Sequence, residues 1–290
     1  VEITLAPRDP KEGGSVHVVG RDRDGVVVVD KVEVDEVEAL YAPPSKTPRF
    51  RAINVEVVDL ERVERTVGGV VADGRGRMQG MWASYFIPSR RDRYFYTLPV
   101  SYLRDAVAAV RAGQEPSWRR SGVEWRTRSL ADARERGLSD GRVASYVAHD
   151  PENLQLLEAI RVTGEGPAAG LVQRTDLLVL ADGQPVSRIR DVEAWASRES
   201  VPLTLLRDGR EVEVTLPMQP TEGAGVRRVV SWSGMLVHDT HDEVPMQHGV
   251  SRTGAYVAWY WYGSPAARDG VRPTRRIVAV DDTPVDGLDD

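Results

Sequence analysis

Apolar and polar residues alternate in short segments through the first 99 positions. Segments rich in β-branched and aromatic residues are separated by Gly- or Pro-containing turns, a pattern that predicts strands. The predicted strands are Val1–Leu5, Ser15–Val19, Val26–Val34, Arg49–Val58, Val70–Ala72, Met78–Tyr85 and Tyr94–Leu98. Strands and turns at such regular spacing are typical of a barrel or a sandwich. The pattern therefore predicts a β domain over residues 1–99.

The hydrophobic period changes after residue 100. Apolar residues now recur three or four positions apart, which places them on one face of a helix over Ser101–Ala112. They are Tyr102, Leu103, Ala106, Val107 and Val110. Ser101 is the predicted N-cap and Gly113 the stop signal. Gln114–Arg120, polar and interrupted by a proline, is predicted to be a linker.

The second half of the chain contains an internal repeat. Gly164–Val186 and Gly263–Val285 each run from a turn containing Pro-Ala-Ala, through a short apolar segment, to an Asp-containing turn ending in Pro-Val. Self-similarity of this length indicates two copies of one domain rather than a solenoid. We call residues 121–219 the first copy and residues 227–290 the second copy.

Further elements are predicted inside the first copy. Ile189–Arg198 is predicted to be a helix whose inward residues include Ile189, Val192 and Trp195. A hairpin closed by Asp208-Gly209 is predicted to join Val201–Leu206 to Glu211–Leu216. Pro151–Arg161 is predicted to be a helix or a helical loop. Gln219–Gly225 is predicted to be a linker between the copies, and the second copy is predicted to stop before its own counterpart of the Ile189–Arg198 helix.

The repeat resembles the PDZ domains of HtrA/Deg-type serine proteases. That family combines a Pro-Ala-Ala turn, an Asp before an Ile/Leu strand, and an Asp/Asn-Gly-x-Pro-Val turn. PDZ domains bind peptides by adding a strand to a sheet edge, usually with capture of the C-terminal carboxylate. The resemblance implies a carboxylate-binding loop, a peptide-pairing strand and a groove helix, formed by Ser121, Gly122, Val123, Glu124, Trp125 and Val192 in the first copy and by Ser233, Gly234, Met235, Leu236 and Val237 in the second.

A second resemblance lies in the β region. Val67–Met81, VGGVVADGRGRMQGM, is similar to the family segment S-G-G-P-L-V-N-x-D-G-x-V-I-G-I that carries the catalytic serine, and Glu12–Gly20 is similar to the strand that opens the second barrel. Val67 stands at the position of the nucleophile and has no hydroxyl, so it cannot form an acyl-enzyme. The resemblance implies a degenerate barrel with no catalytic residue; a generic β-hairpin with glycine turns is the alternative. His17 is the only histidine in residues 1–99.

Within the family, Val123-Glu124-Trp125 followed by the Leu130–Leu138 segment is similar to the duplicated members, the fungal nuclear apoptosis-associated and plant chloroplast Deg types with a degenerate second protease unit. The implied fold is mainly β with some α: a trypsin-like C-terminal β-barrel half over 1–99, a linker helix over 100–120, a PDZ-like domain over 121–219 and an incomplete one over 227–290. An extracytoplasmic location, periplasmic or secreted, is expected from the family alone.

Three functions are compatible with the sequence. The chain is expected to be a non-catalytic pseudoprotease and PDZ portion that binds peptides or mediates assembly. It could instead be the regulatory C-terminal part of an active serine endopeptidase whose catalytic unit lies upstream, or a structural adaptor with no peptide groove. The expected partners are protein C-termini or unfolded segments, together with an upstream protease domain of the same protein.

Composition and candidate motifs narrow the chemistry. A net charge of −6 with dispersed arginines argues against nucleic acid as a partner, and the absence of cysteine excludes disulfides and Cys-ligated zinc. No apolar run reaches the length of a membrane span. His238, His241 and His248 are the residue types of a metal site but are predicted to lie in a solvated loop, and Val257–Tyr262 is predicted to be a core strand rather than a stacking platform. No cofactor or metal is expected.

Overall fold

The computed structural model describes residues 3–40, 53–61, 63, 66, 68–87, 92–221 and 225–290. They form two compact units, one comprising the described parts of 1–40 and 54–117 and the other centred on 118–290. Strands dominate both units, so the predicted mainly β fold class is confirmed. Within the described ranges, no helix combines the length and apolar character that a membrane span requires.

The first unit is a closed barrel of six antiparallel strands. Its strands, in the order β1-β2-β3-β6-β5-β4 around the barrel, are β1 (Ser15–Arg21), β2 (Val27–Ala39), β3 (Glu56–Leu60), β4 (Gly68–Ala72), β5 (Met78–Ile87) and β6 (Asp92–Pro99). Alternate residues point inward, as the pleat requires. Val16 and Val18 on β1 are buried and pack with Val71 and Trp82 in the barrel core.

Two predictions for this unit need correction at their ends. The strand predicted over Val1–Leu5 is not formed in its described part, where only Leu5 pairs, in an isolated bridge to Met78. Helix α1 spans Ser101–Arg111 as predicted, but its N-cap is Val100 and not Ser101. The Ser101 N–H instead donates to Asp9 Oδ1 at 2.9 Å, so a carboxylate from outside the helix satisfies this end.

The first copy is a five-stranded antiparallel sheet with helices on both faces. Its strand order is β12-β11-β10-β9-β8. The elements are β8 (Val123–Ser129), α2 (Leu130–Glu135), α3 (Asp140–His149), β9 (Gln155–Val162), β10 (Leu177–Ala181), α4 (Ile189–Glu193) with a 3-10 turn at Ala194–Ser197, β11 (Ser200–Arg207) and β12 (Arg210–Pro217). One core packs under α4 and the other under α2 and α3.

In this region the predictions for one helix and for the linkers need correction, and the predicted hairpin is present. The helix predicted over Pro151–Arg161 is wrong: this stretch contains strand β9, because a short apolar run buried on both faces has no period that separates strand from helix. The predicted linkers are also wrong in part, since β7 (Trp118–Arg120) and β13 (Gln219–Thr221) pair antiparallel. The hairpin between β11 and β12 turns at Asp208-Gly209, as predicted.

The second copy is a smaller four-stranded sheet in the order β14-β15-β16-β17. Its elements are β14 (Val230–Trp232), β15 (Met235–Asp239), α5 (Glu243–His248), β16 (Ala255–Tyr260), α6 (Pro265–Arg268), β17 (Arg276–Ile277) and a separate pair, β18 (Ala279–Val280) with β19 (Thr283–Pro284). The core-strand prediction for Val257–Tyr262 holds only for its first part. Trp261 and Tyr262 lie beyond β16 and are exposed.

Candidate functional site

Strand β8 forms one edge of the first copy's sheet. It pairs with β9 on one side, and in the described part of the chain no strand pairs with its other side. Helix α4 packs beside it, and Val192 of α4 shares a core with Val123 and Trp125 of β8. An edge strand with a neighbouring helix is the geometry by which PDZ domains accept a peptide strand.

The turn before β8 carries the predicted carboxylate-binding residues. Gly122 has φ +72°, and its C=O accepts from the Thr163 N–H at 2.9 Å, towards β9. Because successive backbone groups of a strand alternate, the Val123 N–H points to the opposite, edge side. The Ser121 hydroxyl accepts from this N–H at 3.2 Å. The side chain of Ser121 thus bonds the amide that an incoming carboxylate would use.

The five predicted residues of this loop and strand, Ser121–Trp125, are all buried. Helix α5 of the second copy lies beside the start of this loop. Arg120, directly before the loop, forms an ion pair with Asp242 at 3.1 Å and contacts Met246 Sδ at 3.2 Å. Arg161 donates to the Gln247 carbonyl at 2.5 Å. Pro245 and Met246 also border the pocket at Gly122, so α5 stands at the start of the candidate groove in this conformation.

The far half of β8 is more open and carries positive charge. Arg126, Arg128 and Arg136 all contact one carboxylate, Glu158, which is 4% exposed. Burial raises the pKa of Glu158, but hydrogen bonds from Arg126 and Arg128 outweigh burial and hold the pKa below its usual value. Arg128 also lies 3.6 Å from the exposed Asp132 carboxylate, so three arginines face two carboxylates and the charge beside the edge strand is net positive.

Helix α4, which packs beside β8, carries a titratable group. Burial raises the pKa of Glu193 to about 7. Glu193 follows the buried Val192 and is itself partly buried.

The second copy presents the equivalent edge differently. Strand β14 pairs with β15, with Trp232 opposite Met235 and Ser231 opposite Leu236. Ser233 (φ +52°) and Gly234 (φ +79°) both adopt left-handed conformations, which defines a type I′ hairpin turn. Met235 and Val237 point into the core. The predicted peptide-pairing strand of this copy already has a strand of its own chain at its edge.

Comparison with known proteins finds relatives along most of the chain. No family model matches the chain. It is 27% identical to "Pro-apoptotic serine protease nma111" of Aspergillus terreus over 96% of its length, and 28% identical to "Protease Do-like 7" of Arabidopsis thaliana over 93%. The chain is related to the HtrA/Deg-type serine proteases. It spans 28% of the length of each of these two relatives.

One solved structure of an HtrA-type protease, "AlgW with decapeptide", matches 76% of the chain and 64% of its own, with 16% identity and a TM-score of 0.46. Val67, which the sequence resemblance aligns with the nucleophile position, lies outside the described residues, and β4 begins at Gly68. His17 lies on β1 and alternates with the inward-pointing Val16 and Val18, so it faces away from the barrel core.

The histidines of the second copy lie among aromatic rings. Among the described residues no group of His, Cys, Asp or Glu is arranged to hold an ion. The His238 and His241 rings instead stack at 5.2 Å and both contact the buried Tyr256 ring.

Sequence reasoning missed two features of the HtrA-like candidate site. One is the cover that α5 places over the first copy's loop, and the other is the ion cluster around Glu158. The second had a signal: Arg136 belongs to the segment that resembles the duplicated HtrA members, and its contact with Glu158 gives that segment a structural role.

Proposed function

We propose that this chain is a non-catalytic, peptide-binding portion of an HtrA-like serine protease, and that the groove between β8 and α4 of the first copy is the binding site. The observation that carries the proposal is the position of β8 at the end of the strand order of the described sheet, with α4 packed alongside. A peptide adds to such an edge through main-chain hydrogen bonds, and its side chains then enter neighbouring pockets.

The charge along β8 supports a class of ligand. A peptide that runs antiparallel to β8 with its C-terminus at the Ser121–Val123 turn passes Arg126 and Arg128 with its upstream residues. Because these arginines share one carboxylate, Glu158, acidic residues upstream of the C-terminus are favoured over basic ones.

A titration of the whole chain with fluorescent peptides tests the proposal. A peptide with upstream acids and a free C-terminus is expected to bind in a saturable way, and more tightly than its amidated or acid-free versions. Ser121→Asn is the matched closing variant: it creates an Asn-Gly pair, which favours the type I′ turn seen at Ser233-Gly234 and would fold the preceding strand onto β8. Binding that is indifferent to the carboxylate and to Ser121→Asn would contradict the proposal.

We also propose that residues 1–290 do not hydrolyse peptide bonds. Valine at position 67 supplies no nucleophilic oxygen. The curated relatives are called serine proteases, and we assign any such activity of the whole protein to parts outside these residues. Fluorophosphonate labelling of the chain and a casein assay should both be blank; serine-specific labelling of the barrel would overturn the assignment.

For the second copy, a structural adaptor role is favoured by a specific observation. Strand β14 occupies the edge of β15. A peptide strand could add there only by displacing it.

A further inference from the structure

The loop that begins the candidate groove in the first copy is covered by α5, a short helix of the second copy. Helix α5 spans only Glu243–His248, and its N-cap residue is Asp242. Its polar contacts with β7 and the first copy are the Asp242 ion pair with Arg120, the Gln247 carbonyl with Arg161, and Met246 Sδ with Arg120. Arg120 satisfies the Asp242 carboxylate here, and a competing carboxylate can offer Arg120 the same kind of ion pair.

Helix α5 borders the space beside the turn at Gly122. A pocket there is lined by Gly122 and Pro167 of the first copy and by Pro245 and Met246 of α5. A carboxylate that approached Gly122 from this side would meet Pro245 and Met246.

Asp242 holds α5 in place by its charge. Its carboxylate lies 3.1 Å from Arg120 and 3.0 Å from Arg252, and the Arg120 and Asp242 side chains are both mostly buried, at 17% and 14% exposure. Asp242 makes no side-chain capping hydrogen bond to α5. Its carboxylate can therefore leave Arg120 without removing a cap from the helix.

We infer that α5 is a reversible stopper of the first copy's groove, in which the Asp242 carboxylate occupies Arg120 until a peptide carboxylate replaces it. The inference rests on the proposed peptide-binding function for the identity of the ligand. The blocked conformation itself depends only on the contacts between the two copies.

Two opening variants of the whole chain test the stopper. Asp242→Asn removes the charge on Arg120, and Met246→Lys places a cation against Arg120, so that α5 is repelled. Asp269→Asn removes one negative charge from an exposed position of the same copy and is the control. Hydrogen exchange of the amides at 122–124, followed by mass spectrometry, reports opening without any ligand. We expect exchange to rise at least tenfold in both opening variants and to stay unchanged in the control.

Peptide titration of the same proteins separates this inference from the proposed function. Tighter binding by at least tenfold in the opening variants, with no change in Asp269→Asn, is the expected result. Equal binding and equal exchange in all proteins would overturn the stopper while leaving the groove in place. Faster exchange at 122–124 without any peptide binding would support the stopper and overturn the proposed function. Amides at 122–124 that remain protected in both opening variants would overturn the stopper, whatever the peptide does.

Discussion

The two copies use the same Ser-Gly pair in opposite ways. In the first copy Gly122 of this pair has positive φ and Ser121 does not, and the segment before the pair forms β7, which pairs with β13 rather than with β8. In the second copy Ser233 and Gly234 both have positive φ, and the chain before them folds back onto β15. The same dipeptide therefore either ends a candidate groove or fills it.

A segment outside the repeat accounts for the difference. In the first copy β7 pairs with β13, where the Thr221 hydroxyl donates to the Trp118 carbonyl at 2.9 Å. In the second copy β14 pairs with β15 instead, and no described strand plays the part of β13. Backbone groups of a strand need partners, so the segment before the Ser-Gly pair takes the neighbouring edge when nothing else is available.

The copies also differ at one equivalent buried position. Trp125 pairs with Ala159 and Val237 pairs with Val257, so the following pairs, Arg126 with Glu158 and His238 with Tyr256, occupy the same register. The first copy fills it with an ion cluster and the second with stacked rings.

The largest expected effect comes from breaking the ion cluster. Glu158→Ala leaves Arg126, Arg128 and Arg136 facing one another without their common carboxylate. Glu158 accepts charge-assisted hydrogen bonds from all three arginines, and their loss, offset in part by solvation of the half-exposed guanidinium groups, costs about 3 to 5 kcal/mol of unfolding free energy. Urea unfolding of the whole chain measures it. The exposed Glu135→Ala in α2 is the control and should change stability by no more than about 0.5 kcal/mol. Equal effects of the two variants would show that the Glu158 ion cluster does not stabilise the first copy.

The paired glycines give the next largest effect. A Cβ at Gly234 would stand 2.2 Å from Ser264 Cβ, whereas a Cβ at Gly122 would stand 3.2 Å from Pro167 Cδ. Both positions have positive φ, which alone costs a non-glycine residue about 1 to 2 kcal/mol. Gly234→Ala adds an overpacking cost and should destabilise by about 2 to 4 kcal/mol, against about 1 to 2 kcal/mol for Gly122→Ala. Hydrogen exchange of β14 amides should rise in Gly234→Ala only; similar costs at the two sites would contradict the difference between the turns.

Much of this fold follows from local sequence, and the exceptions share a cause. The hairpin at Asp208-Gly209 and the inward residues of α4 depend on turn chemistry and helical period, both of which are local. The pairing of β7 with β13 joins segments about one hundred residues apart, and Pro220 inside β13 hides it further. The cover of α5 over Gly122 is likewise a contact between two domains. Ser121-Gly122 and Ser233-Gly234 look alike in sequence, so an open edge could not be told from a filled one.

The pH dependence of stability tests whether Glu193, on helix α4 of the first copy, is buried in the folded chain. Its folded pKa of about 7 lies above the ordinary 4.5 of a glutamate, so stability is full at low pH and falls as pH rises from about 4.5 to 7. Glu193→Gln removes the buried charge and should stabilise the chain by about 2 to 3 kcal/mol at pH 8, with little change at pH 4.5. Denaturant melts at the two pH values measure this. A gain of the same size at both pH values would show that Glu193 is not titrating in the folded groove.

The smallest expected effect is a difference between the two copies in how their stability depends on pH. Burial lowers the pKa of His238, and the adjacent His241 lowers it further, while the Asp239 carbonyl at 2.8 Å opposes the shift. Around His238 stand His241, which bonds Glu243, and the buried Tyr256. Because the unfolded histidine takes up its proton first as pH falls below about 6.5, the second copy loses stability on acidification, on the order of 1 kcal/mol or less.

His238→Gln should reduce this loss of stability, whereas His149→Gln, at an exposed position of the first copy, should not. Exchange of β15 and β16 amides at pH 7.5 and 5.5 gives the readout. The first copy, whose equivalent position holds Glu158 with its lowered pKa, should show no matching change over that range. Equal acid sensitivity in the two copies would mean that the ring stack and the ion cluster respond alike to protons, and the contrast between them would then lie in packing alone.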